Sequence, residues 1–197
     1  KYINKFEIRR KISYTMSIRN KFENELKQVF EKLADMCHNT ELAIEKSINA
    51  LKFRNDALAK EVMSEDKNID KLERDIEQDC LKILLMEHPV ASDFRDVSAA
   101  LKMITDLERI ADQAADICEI SLQFKGEKFI KEPEHIEMMS KIVIGMVKDG
   151  VTSYINRDLD TARSLDRRDD RVDELFETVK SDLVCLIRQN PDNADQA

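Results

Sequence analysis

A chain of 197 residues is long enough for one large or two small domains with a real core. With only 3 Gly and 3 Pro it has few turns, and 42% apolar with 37% charged residues is the mixture of helical bundles, not of disordered chains. The formal net charge of −8 sets the chain as a whole against unspecific nucleic-acid binding and against attraction to an anionic lipid surface, although a local basic patch escapes that argument.

The first 15 residues mix charge and apolar character without the hydrophobic stretch of a signal peptide, and Met16 reads as a natural start, so 1–15 is set aside as an N-terminal extension. The first predicted helix runs from about Asn20 to Phe53 on a seam of Phe22, Leu26, Val29, Leu33, Met36, Thr40 and Ala43, with steps alternating four and three. Asn55-Asp56 breaks it and offers an N-cap. A second helix, about Ala57–Glu87, stops at His88-Pro89, because the residue before proline avoids the α region. Pro89 opens a third, to about Phe124, with the seam Val90, Phe94, Val97, Leu101, Ile104, Glu108, Ala111, Ala115, Cys118 and Leu122. Lys125–Pro133, with Gly126, is the interdomain linker. A fourth helix, Glu134–Asn156, is weakened by Gly145 and Gly150, and a fifth spans Leu159–Gln189. No apolar run approaches the ~20 residues of a membrane span.

Shifting the second helix by 103 residues lays it on the fifth with the seams in register. Ala59, Asp66, Asp70, Leu72 and Asp79 recur as Ala162, Asp169, Asp173, Leu175 and Asp182. The expected fold is therefore all-α: an internal duplication of an antiparallel three-helix unit, 16–125 and 133–197. Beyond Pro191 only six residues follow, so the second unit lacks its final helix here and its apolar faces call for cover from a further segment, a second subunit or a partner.

Acids interrupt these apolar stripes. Glu108 sits in the seam of the third helix, and Asp66 and Asp169 at one matched seam position of the second and fifth. Each has a second acid one turn on, giving Asp66/Asp70, Glu108/Asp112 and Asp169/Asp173, with Asp116 extending the third-helix row. Carboxylates four apart share a helix face and can chelate one cation, and oxygen-rich ligation suits hard ions such as Mg²⁺, Mn²⁺ or Ca²⁺, or iron. Pairing with Lys67, Arg74, Lys102 or Arg109 is the competing reading.

Other chemistry is absent. No phosphate loop, nucleophile elbow or HExxH occurs. Of the histidines, His88 reads as a helix-end residue, His38 as surface or seam edge, and His135 follows an unpaired Glu132-Pro133-Glu134, which speaks against a di-iron bundle enzyme. Cys37, Cys80, Cys118 and Cys185 read as reduced, buried small hydrophobes. From residues alone, a carboxylate-bridged metalloenzyme and a purely structural interaction module both stay open.

Four runs resemble the PhoU family of phosphate-uptake regulators: Arg19-Asn20-Lys21-Phe22-Glu23, Asp66-Lys67-Asn68-Ile69-Asp70, His88-Pro89-Val90-Ala91-Ser92-Asp93-Phe94-Arg95 and Asp106-Leu107-Glu108-Arg109-Ile110-Ala111-Asp112. Ala111 stands where the family's pattern has glycine. The resemblance implies two tandem three-helix bundles without catalysis, and metal clusters of iron or zinc. By position their ligands are Asp66, Asp70, Glu108 and Asp112, with Asp169 and Asp173 as half of a second site. It further implies a cytoplasmic, commonly dimeric negative regulator of the phosphate-starvation response. Such a regulator links the ATPase subunit of the phosphate ABC transporter to a sensor histidine kinase at the inner membrane face, through protein contacts and without membrane insertion.

Overall fold

The computed structural model describes residues 5–86, 89–124 and 127–197, with side chains from Arg19 onward. Glu87, His88, Lys125 and Gly126, used above as boundary residues, lie outside the described residues. Five helices follow in order: α1 Lys5–Phe53, α2 Asp56–Met86, α3 Ala91–Gln123, α4 Glu134–Asn156 and α5 Leu159–Gln189, with a closing 3₁₀ turn at Pro191–Asn193. No strand occurs among the described residues. The first helix begins well before the expected Asn20, its helical backbone running unbroken from Lys5.

Helices α1, α2 and α3 form an antiparallel bundle around Val29, Leu33, Met36, Ile76, Ile83, Val97 and Ile104, all essentially inaccessible to water. Each such side chain contributes about 2 kcal/mol by leaving water. The α4–α5 hairpin packs through α4 onto α1. That joint is antiparallel, with Lys52 Nζ meeting Glu137 at 2.6 Å and Phe30 meeting Tyr154 edge-on at 5.5 Å, and beyond the end of α4 Arg157 reaches Asp96 of α3 at 2.6 Å. Val147 and Val151 of α4 belong to the same core cluster as the α1 seam.

The duplication reappears in the backbone. Arg54 and Arg157, 103 residues apart, are the only two described non-glycine residues with positive φ, 52° and 56°. Around each the same capping pattern closes the helix: Asn55 N donates to Ala50 O and Arg54 N to Leu51 O, as Asp158 N does to Ser153 O and Arg157 N to Tyr154 O. The next residue then caps the following helix. Asn55 Oδ1 accepts from Leu58 N, and Asp158 Oδ1 from Asp160 N and Thr161 N, all at 3.1 Å.

Two sequence expectations are corrected. In α3 the buried row is Asp93, Val97, Ala100, Ile104, Leu107, Ala111, Ala114, Cys118 and Ser121, whereas Val90 and Phe94 are 61% and 53% exposed. Both rows step by four and three and share Val97, Ile104, Ala111 and Cys118. Packing against α1 and α2 buries Ala100, Leu107, Ala114 and Ser121 fully, leaves Leu101 and Leu122 half-buried at the edge of the core, and leaves Phe94 in water. Cys185 is exposed rather than buried, because α5 buries only Leu175 fully and leaves Phe176 and Val184 in water.

Candidate metal centre

The register of α3 decides where its acids fall. Leu107 and Ala111 point into the core, so Glu108 and Asp112, one residue on from each, stand at the rim facing α2. In α2 the fully buried row is Ala59, Val62, Ile69, Ile76, Cys80 and Ile83, which leaves Asp66, Asp70 and Glu73 half-buried along its edge. Because α2 and α3 are packed neighbours, the two rims meet. The seam acids are thus boundary residues, each with an apolar flank and an outlet to solvent, and a carboxylate survives there at far lower cost than in the core centre.

Asp66, Asp70 and Asp112 each offer a carboxylate oxygen, and the three oxygens lie within 4.8 Å of one another. Glu108 stands beside this group without joining it, and its carboxyl is raised above the ordinary range by burial first and then by Asp112, Glu73, Asp70 and Asp66. Asp66 is likewise raised, by burial first and then by Asp112, Asp70 and Asp116. Among the described residues no lysine or arginine pairs with Asp66 or Asp112, and only Arg74, at 3.7 Å, approaches Asp70. Of the competing cations, Arg74 is the one that reaches the group, and Arg109 is used otherwise. Arg109 turns to Asp106 at 3.6 Å, and Lys46, the cation flanking Asp66 across a cavity of about 150 Å³, is held by Glu61 and Glu65 at 2.6 and 2.7 Å. Three converging carboxylates with one cation, Arg74, at their edge keep a net negative charge and fit a hard divalent cation, and iron or zinc can also take such oxygen ligands.

Asp169 and Asp173 lie exposed on α5, and no third ligand among the described residues joins them. Among the described residues no acid row like that of α3 stands beside α5. The sequence reading missed Asp93, which is 5% exposed and ion-paired to Arg19 at 2.5 Å, fixing α1 to the first turn of α3. Its signal was present in the four-three spacing to Val97 and Ala100, but a lone acid in a first helical turn reads as a dipole partner.

The family model described as the PhoU domain matches residues 33–121 and 136–197, one stretch on each side of the linker. A phosphate-specific transport system accessory protein PhoU homolog of Aquifex aeolicus is 35% identical over 90% of this chain and 80% of its own length. The Escherichia coli accessory protein PhoU is 29% identical over 88% of this chain and 72% of its own. Among solved structures, PhoU from Pseudomonas aeruginosa superimposes with a TM-score of 0.84 at 28% identity, covering 88% of this chain and 84% of that one. The phosphate transport system regulatory protein PhoU from Streptococcus pneumoniae, at 22% identity and a TM-score of 0.80, shares the fold over 86% of this chain and 80% of its own.

Proposed function

The chain belongs to the PhoU family, and on that premise we propose that it is a cytoplasmic accessory regulator of phosphate-specific transport, signalling through protein contacts and not through catalysis. The observation that carries this reading is the 35% identity, sustained over 90% of the chain, to a protein named as an accessory of that transport system. The helical architecture supports it, since long exposed helix faces serve docking and no helix among the described residues is long and apolar enough to cross a membrane. The partners proposed are the ATPase subunit of the phosphate ABC transporter and a sensor histidine kinase, with a second copy of the chain forming a homodimer. Contact with these places the protein at the inner membrane face.

The metal belongs to the same proposal. Asp66, Asp70 and Asp112 hold the ion, Glu108 stands ready as a further ligand, and the ion neutralises the mutual repulsion of the rims of α2 and α3. Its role there is to clamp two helices. Asp169 and Asp173 are proposed as half of a second site, completed by groups from outside the described chain.

Two measurements test the reading. Elemental analysis of protein purified without chelator should find iron, zinc or another divalent ion, and Asp70→Ala or Asp112→Ala should lower affinity for it at least ~10-fold, on the scale seen even for outer partners of a metal. Equal metal content in wild type and both variants removes the site. Deletion of the gene should leave phosphate-uptake genes switched on in phosphate-rich medium, and normal repression in the deletion strain removes the regulatory role.

A further inference from the structure

Asp66 has a second neighbourhood besides the carboxylate group. It lines the cavity of about 150 Å³ between α1 and α2, and Lys46 of α1 lines the same cavity. Leu42, Ala43, Val62 and Ile69 supply apolar wall there, beside which opposite charges attract more strongly than in bulk water. A lysine ammonium rides on a flexible four-carbon stem, so nothing in its own chemistry keeps Lys46 from Asp66.

Two exposed acids keep it away. Lys46 Nζ lies 2.6 Å from Glu61 and 2.7 Å from Glu65, carboxylates one turn apart on α2, and among the described residues no ion pair joins Lys46 to Asp66. Glu65 precedes Asp66 in the chain, so the ammonium is held on the adjoining face of the same helix.

The contact is built twice. Shifting Lys46 and Glu65 by 103 residues gives Asp149 and Arg168, which pair at 2.6 Å with the charges exchanged between the helices. The repeated unit thus fixes where the pair stands, whereas the helix that carries the cation differs. In the first repeat the cation faces the cavity of Asp66, and there a second acid, Glu61, holds it; the matching position of the second repeat is the uncharged Ser164.

We propose that Glu61 and Glu65 are positioning residues for the carboxylate site, holding Lys46 off Asp66 and so keeping that carboxylate open to an external cation. The geometry rests on the ion pairs, and the consequence for metal rests on the reading of Asp66, Asp70 and Asp112 given above. Released from both acids, Lys46 finds Asp66 across its cavity, and an ammonium there competes with a divalent ion for the same oxygens.

Two measurements on the full chain test it. In competition with a chromogenic chelator, Glu61→Gln/Glu65→Gln should weaken Zn²⁺ binding about 10-fold, the lower end for outer partners of a metal. Lys46→Met should restore most of that loss in the double variant, yet change wild-type affinity less than about 3-fold, since a charge held apart from the site is screened. An equal effect of Lys46→Met in both backgrounds means charge acting only through space, and overturns the proposal. Zero-length carbodiimide cross-linking of chelator-treated protein, mapped by mass spectrometry, reads the geometry without metal. Wild type should join Lys46 to Glu61 or Glu65, and the double variant should join it to Asp66. A Lys46–Asp66 link that dominates in wild type, or is missing from a double variant of unchanged helicity by circular dichroism, also overturns it. A wild type that binds no Zn²⁺ but gives the expected cross-links removes the metal reading and upholds the hold on Lys46.

Discussion

At the scale of single residues the acids at the α2–α3 rim work against the metal-free fold. Burial and like charge hold the carboxyls of Asp66 and Glu108 above their ordinary values, so the folded chain takes up their protons more readily than the unfolded chain. A raised carboxyl destabilises fully above its folded pKa, and the penalty disappears as pH falls toward the unfolded value of about 4. As far as these two carboxyls set it, chelator-treated protein should therefore show a urea midpoint that rises as pH is lowered toward the unfolded value of about 4, and Asp66→Asn should reduce that rise; a rise unchanged in Asp66→Asn contradicts it. Glu137 acts with opposite sign in a lower window. Lys141 and then Lys52 hold it down at about 2, so its contribution is present above the unfolded value of 4.5 and is lost as pH falls through 2. The thiols divide by burial: desolvation pushes Cys37 up to about 12 and Cys80 and Cys118 up to about 11, while Cys185 is exposed. A thiol reagent at pH 8 should modify one cysteine quickly in native protein and four after denaturation. Fast reaction of two or more native thiols contradicts the core packing.

At the scale of the elements, helix ends and helix interiors make separate predictions. Asn55 caps α2 through Leu58 N, so Asn55→Ala should lower stability by about 1 kcal/mol, read from urea unfolding. Gly150 lies in mid-α4 with an ordinary negative φ, and a methyl group there would meet only Leu165 Cδ1 at 3.7 Å. Gly150→Ala should therefore stabilise by about 0.5–1 kcal/mol, because it removes backbone freedom from the unfolded chain without a clash. A loss of stability would mean that α4 and α5 approach more closely than this. Arg54 and Arg157 share one left-handed conformation for one reason: the duplicated unit needs the same reversal twice, and each arginine is held by other groups. Arg54 lies 4.5 Å over the Phe129 ring and Arg157 binds Asp96.

At the scale of the whole molecule the two repeats are unequally finished. The first encloses its core from three sides. The second shows Met138, Leu159, Phe176 and Val184 to water and joins the first mainly where α4 lies on α1. Apolar surface of that extent favours association. Sedimentation over a dilution series should show a concentration-dependent dimer, and Phe176→Ser should shift it toward monomer. A monomer at every concentration contradicts the reading.

The amino-acid sequence by itself determined the five helices, because 3.6-residue periodicity, caps and prolines act within one segment. It also determined the duplication, since the 103-residue shift preserves both the acids and the cap positions. Tertiary structure alone decided which of two equivalent stripes of α3 enters the core, and with it that Asp112 converges with Asp66 and Asp70 while Glu108 stands beside them. Periodicity describes one helix in isolation and cannot choose between rows related by a single residue. That choice belongs to packing against α1 and α2, which buries Ala100, Leu107 and Ala114 fully while Phe94 stays in water and Leu101 reaches the core only from its edge.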